Sequence, residues 1–152
     1  MGHKTSKQAL MKLFMLVTLC FIAFGFTART GLDGYEIYLN DKLILKQFVN
    51  QPLSLRKLRL DKADQSDQLR IHYRHCTPKG VGTGRSIAIK NQQGKTLKKW
   101  EFADSGDSDA GMVIPVKALV QLEKHHSGQD LRLYYAAHEH PEGEMLASVQ
   151  LE

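Results

Sequence analysis

His138 and His140 stand two residues apart. On a β-strand that spacing turns both imidazoles to one side, about 6–7 Å apart, a placement from which zinc can be held. Glu142 or Glu144 would add a carboxylate. The simpler reading takes His-Glu-His-Pro-Glu-Gly at 138–143 as a polar connection, because Pro141 and Gly143 are turn residues.

A second grouping is rich in oxygen. Asp104, Asp107 and Asp109 lie in one stretch with serine and glycine between them, and extracellular loops of that kind hold calcium weakly. The glutamate that closes an EF-hand is missing, so a solvated acidic turn is the plainer alternative. His72, His75 and Cys76 make a third grouping. Residues three apart face opposite sides of a strand, so only His72 and Cys76 can act together. A Cys–His nucleophile also needs an orienting group and something to lower the thiol pKa, and neither is legible here. Gly80-Val-Gly-Thr-Gly-Arg does not qualify as a phosphate loop, because strands flank it on both sides where a strand and a helix are required. No catalytic residue is assigned, and an enzyme is not the favoured reading. No cofactor is expected, apart from the zinc and calcium options at these residues.

The basic residues suggest binding. Arg56, Lys57 and Arg59 on one strand and Arg70, His72 and Arg74 on the next form one face if the two strands pair. Arg56, Arg59, Arg70 and Arg74 are then the candidate contacts for an acidic glycan, a lipid headgroup or an acidic protein. The alternative is that long basic side chains keep an exposed sheet soluble and discourage edge pairing.

The elements that would position these groups are mostly strands. Tyr35, Ile37 and Leu39 alternate with Glu36 and Tyr38, and Asn40-Asp41 gives a turn before a strand at 43–48. Leu53 and Leu55 share one parity and Leu58 and Leu60 the other, which predicts a β-bulge near Arg56-Lys57. Further strands are read at 68–76, 85–90, 96–102 and 112–116, where Pro115 points to an edge. Two more run through Leu131, Leu133 and Tyr135, and through Met145, Ala147, Val149 and Leu151. Trp100 and Phe102 are expected to close the core. One helix is predicted at 117–126, from the stripe of Leu119, Val120 and Leu122 with Gly128 placed to cap it. Eight or nine short strands and one helix make the chain mainly β, a single antiparallel β-sandwich, Ig-like or jelly-roll-like.

The N-terminus reads differently. Lys4, Lys7 and Lys12 precede an apolar run at 13–26, the pattern of a secretory signal peptide. The run is short for a membrane-spanning helix, which needs about 20 residues. Residues 1–30 are therefore read as a signal helix cut between 25 and 30, and 31–152 as the mature domain. Leu19 before Cys20 argues against a lipid anchor. Cys76 is then the one cysteine left, no intramolecular disulfide is possible, and a buried thiol is expected. The net charge of +5 rests on the leader: without its four basic residues, 17 basic side chains face 16 acidic ones, a net of +1. So weak a field argues against nucleic acid.

Three stretches carry a resemblance: Gly34-Tyr-Glu-Ile-Tyr-Leu-Asn-Asp with Asn50-Gln-Pro-Leu-Ser-Leu, His72-Tyr-Arg-His-Cys-Thr with Gly82-Thr-Gly-Arg-Ser-Ile, and Trp100-Glu-Phe-Ala-Asp. Through them the chain resembles a group of small exported bacterial proteins to which no function is assigned. The resemblance implies a β-sandwich and export, and brings no catalytic residues. The expectation is thus a periplasmic or extracellular binding or structural module of the cell envelope. Its partner would be an envelope protein or glycan, and it would meet the membrane only through its transient signal peptide. A zinc protein or hydrolase built on His138 and His140 is the alternative.

Overall fold

Alternating apolar residues dictate strands, and in the computed structural model they form two sheets around one core. The structure describes residues 31–60, 63–76, 80, 82–104 and 111–151. The leader at 1–30, Asp107 and Asp109 lie outside them. Leu32–Glu152 forms one compact unit.

The first sheet, sheet A, has the order β2-β1-β4-β7, with β1 at Gly34–Leu39, β2 at Lys42–Phe48, β4 at Gln68–Arg74 and β7 at Met112–Pro115. Strands β1 and β2 form the expected hairpin, whose turn places Asn40 at φ 54, a left-handed conformation that asparagine tolerates. Pro115 ends the edge strand β7 as anticipated. The second sheet, sheet B, runs β3-β9-β8-β5-β6, with β3 at Lys57–Arg59, β5 at Ser86–Lys90, β6 at Thr96–Glu101, β8 at Leu131–Ala137 and β9 at His140–Gln150. All pairings are antiparallel except β3 with β9, which is parallel. Between β7 and β8, helix α1 spans Val116–His125 and buries Val116 and Leu119. Among the described residues no helix is long and apolar enough to cross a membrane.

The inward residues of both sheets share one cluster: Tyr35 and Ile37, Leu69, Ile71 and Tyr73, Ile87 and Ile89, Leu131, Leu133 and Tyr135, and Leu146, Ala147 and Val149. Trp100 and Phe102 pack half-buried at its margin.

One local expectation fails. Leu53–Leu55 is a turn of 3₁₀ helix, with Leu53 and Leu55 more than half exposed. No bulge is needed to bring them inward, because they do not point inward. The inward position before Leu58 is taken by Arg56 instead, which is only 3 % exposed.

Candidate functional site

The four arginines read as one basic face are divided by the fold. Strand β3 pairs with β9, whereas β4 lies between β1 and β7 in the other sheet, so Arg56 and Arg59 are separated from Arg70 and Arg74. Arg56 is moreover an interior side chain. Its guanidinium donates to Glu144 Oε1 at 2.6 Å and to the carbonyls of Met145 (2.7 Å), Gln51 (3.1 Å) and Val49. Arg70 leans toward Asp41 at 3.6 Å, and Arg74 is exposed at the end of β4.

The strand that was to align His138 with His140 is not formed at that point. His138 and Glu139 make the two-residue turn between β8 and β9, and His140 opens β9 opposite Ala137. His138 lies against Gly84, whose φ is +57 and where a Cβ would come within 2.6 Å of the imidazole. Its Nδ1 is 3.3 Å from Thr83 Oγ1. Glu144 is engaged with Arg56, and Asp104 accepts the Gly84 N–H at 2.6 Å. Among the described residues, no three His, Cys, Asp or Glu side chains gather as a metal site requires.

Cys76 is exposed, not buried as expected. It follows the end of β4, and its N–H donates to Asp33 Oδ1 at 2.7 Å. His75 turns inward and is 7 % exposed. Its Nδ1 is 3.3 Å from Asp33 Oδ2 and its Nε2 is 2.8 Å from the Tyr135 hydroxyl. Tyr73 donates to Asp33 Oδ2 at 3.0 Å and stacks on Tyr135 with ring centroids 3.9 Å apart. Burial pushes the Tyr73 hydroxyl far up, with the Asp33 carboxylate acting in the same direction. Burial also pushes Tyr35 up to about 12, with Arg56 opposing and Glu144 adding. Gly82 fits between these rings, because a Cβ there would lie 2.6 Å from both His75 Nε2 and the Tyr135 hydroxyl.

The outer face of β5 and its neighbours gathers basic side chains from several strands. In β5 the residues Ile87 and Ile89 are inward and Ala88 and Lys90 belong to the outer face, where Ser86 has the same parity but is buried; in β8 the alternation turns Arg132, Tyr134 and Ala136 outward. The register sets Ser86 opposite Ala136, Ala88 opposite Tyr134 and Lys90 opposite Arg132. Strand β9 places Ser148 beside Arg132, and β3 places Lys57 beside Ser148 and Arg59 beside Gln150. One cross-strand row therefore reads Lys57, Ser148, Arg132, Lys90. The next holds Tyr134, Ala88 and Lys99, and the third Ala136, Ser86 and Glu101.

Charge on this face is held but not cancelled. Lys90 Nζ sits 4.4 Å from the centroid of the Tyr134 ring, a cation–π contact that positions an ammonium without neutralising it. Lys99 is paired with Glu101 at 3.0 Å. Among the described residues no carboxylate pairs with Lys57, Lys90 or Arg132. Beyond the third row the face leads into a cleft of about 390 Å³, lined by Ser86, Ala136, Lys99 and Glu101 together with Gly84, Arg85, Phe102, Ala137, His138 and Pro141. That volume falls within the range of about 300–1,000 Å³ usual for small-molecule sites.

Of the arginines singled out from the sequence, Arg59 alone belongs to this face. Lys90 and Arg132 were overlooked, although the alternation Ser-Ile-Ala-Ile-Lys and Arg-Leu-Tyr-Tyr-Ala marks both as outward. Comparison of the chain with family models, curated proteins and solved structures finds no match.

Proposed function

We propose that the chain is an exported, non-catalytic binding module of the cell envelope, a β-sandwich whose outer face on sheet B holds an acidic glycan. The observation that carries this reading is the register pair Lys90 and Arg132, directly opposed on neighbouring strands with no carboxylate partner among the described residues. Like charges directly opposite each other on a sheet are destabilising. Departures of this kind from the rules that favour stability concentrate where a ligand is bound. Ser86 and Ala136, two residues along β5 and β8 from Ala88 and Tyr134, line the cleft beyond the cations. With a net charge of +1 outside the leader, attraction is local to this face, which suits a ligand recognised by position more than by bulk charge. Export is supported by the basic residues and apolar run at 1–26, and a sandwich by the two sheets over one core.

The test is calorimetric titration of the protein with polygalacturonate at low and high salt. Binding that weakens with salt is expected, with a loss of about tenfold or more in Lys90→Gln/Arg132→Gln, the equivalent of about 1.4 kcal/mol. Arg70→Gln/Arg74→Gln on the other sheet should bind like the parent. Equal losses in both variants, or equal affinity for an uncharged glucan, would refute the reading.

A further inference from the structure

We infer that the free edge of β2 pairs with the same edge of a second copy of this chain, strand against strand across a two-fold axis, so that sheet A runs on from one copy into the other. The edge strands of the two sheets are β2, β7, β3 and β6, and three of these edges are blunted. Strand β3 has three residues, two of them Lys57 and Arg59; β7 has four and ends at Pro115; β6 carries Lys98, Lys99 and Glu101, all exposed. Short length, charge and proline are the usual means of keeping an edge from pairing. Strand β2 is seven residues long, with Leu43, Ile44 and Leu45 in succession. Its Lys46 reaches back over the sheet to Glu36 of β1, 2.7 Å away, and so does not guard the edge. Leu43 and Phe48 are exposed, as are Leu32 before β1 and Leu53 and Leu55 after β2. Among the described residues, Val113 is the one large apolar side chain exposed elsewhere.

The backbone decides which partner fits. Val49 donates its N–H to the Asp33 carbonyl at 3.1 Å. Hydrogen-bonded pairs alternate along an antiparallel ladder, so with Gln47 opposite Tyr35 and Leu45 opposite Ile37, residues 45, 47 and 49 are the ones bonded to β1. Lys46 and Phe48 therefore turn their backbone groups to the open edge, where the Phe48 carbonyl also accepts the Gln51 N–H. The register slips at Ile44, and Lys42 lies beyond the slip, which confines regular pairing to 45–49. With the axis through Gln47, Lys46 of each copy exchanges backbone hydrogen bonds with Phe48 of the other. Gln47 then faces Gln47, and Leu45 faces Val49, two side chains that already pack against the core. No like charges stand directly opposite. Each Lys46 comes beside a Phe48 ring, on the face where that ring lies over Gly34. An edge that answers its own backbone groups in this way suits a second copy. Lys46 is already matched by Glu36, so the paired stretch holds no free cation to draw it to an anionic membrane.

Sedimentation velocity over a dilution series tests the association. The protein should pass from dimer to monomer on dilution. Lys46→Pro removes an N–H that faces the open edge and spares the ladder to β1; it should raise the dissociation constant by about tenfold or more, with a cooperative melt showing that the fold is kept. Lys46→Gln keeps that N–H and should associate like the parent. A dimer indifferent to Lys46→Pro overturns the inference. So does a protein that stays monomeric at every concentration, and its co-sedimentation with phosphatidylglycerol vesicles would then give the exposed leucines to a membrane surface. Cross-linking tests the register independently of Lys46→Pro. In a Cys20→Ser/Cys76→Ser background, Gln47→Cys sets two thiols opposite each other in a non-hydrogen-bonded pair with Cα atoms about 4.5 Å apart, within the span of a disulfide. Oxidation should give a covalent dimer, at least about tenfold more than Lys42→Cys, which lies five residues from the axis. Equal yields at the two positions, or none at Gln47→Cys, would overturn the pairing.

Discussion

The interior and the outer face of sheet B treat charge in opposite ways. Inside, Arg56 is matched by Glu144 and three carbonyls, and His75 is bracketed by Asp33 and Tyr135. Outside, Lys90 and Arg132 face each other across the β5–β8 pair, and Lys90 rests over the Tyr134 ring. Burial accounts for the difference. A charge in the core must be matched because its desolvation otherwise costs several kcal/mol, whereas a half-buried cation on an outer face still reaches water and remains available to something else.

The sharpest way to break this contrast is to remove one member of an interior set. Arg56→Ala should destabilise the protein by about 3–5 kcal/mol in chemical denaturation, since it strands Glu144 and the carbonyls gathered on the guanidinium. Tyr135→Phe should cost about 1–3 kcal/mol in the same assay, because it deletes the hydroxyl facing His75 Nε2 while keeping the stacked ring.

Alkaline melting curves test the interior from another direction. Tyr35 is raised from 10.0 to about 12 and Tyr73 is raised further. The folded state therefore keeps phenolic protons that the unfolded chain gives up. The stability tied to these hydroxyls is complete below about pH 10 and drains away as the pH climbs through 12, so the melting temperature should fall across that window. Tyr73→Phe should flatten the decline. On the outer face the sign of a mutation reverses. Lys90→Gln should raise stability by about 0.2–1 kcal/mol, by relieving the repulsion from Arg132, and should weaken polygalacturonate binding at the same time. A destabilised Lys90→Gln protein would mean that its contact with Tyr134 outweighs the repulsion.

Local pattern carried much of the fold. The alternations at Tyr35–Ile37, Leu69–Tyr73, Ile87–Ile89 and Leu131–Tyr135 appear as inward faces of strands, and the helix expected at 117–126 lies one residue earlier. What pattern alone did not carry was pairing between strands. The parallel contact of β3 with β9 joins residues about ninety positions apart, and it is this register that separates Arg56 and Arg59 from Arg70 and Arg74. The candidate site was illegible for the same reason, because Lys57, Arg132 and Lys90 become a row only across β3, β9, β8 and β5. Leu53 and Leu55 misled the reading because parity was assumed to mean burial, whereas Pro52 introduces a turn that leaves both outside.

The placement of β9 bears on how the protein is made. The last of the described strands lies between β3 and β8 in sheet B and contributes Leu146, Ala147 and Val149 to the core. A ribosome delivers those residues after the other described strands, so until they emerge β3 has no neighbour to pair with, Arg56 has no Glu144, and the core lacks a closing strand. Folding of this unit is thus postponed until β9 has been made. Were the chain exported as proposed above, that delay would keep it slack for the passage and let it fasten shut on the far side.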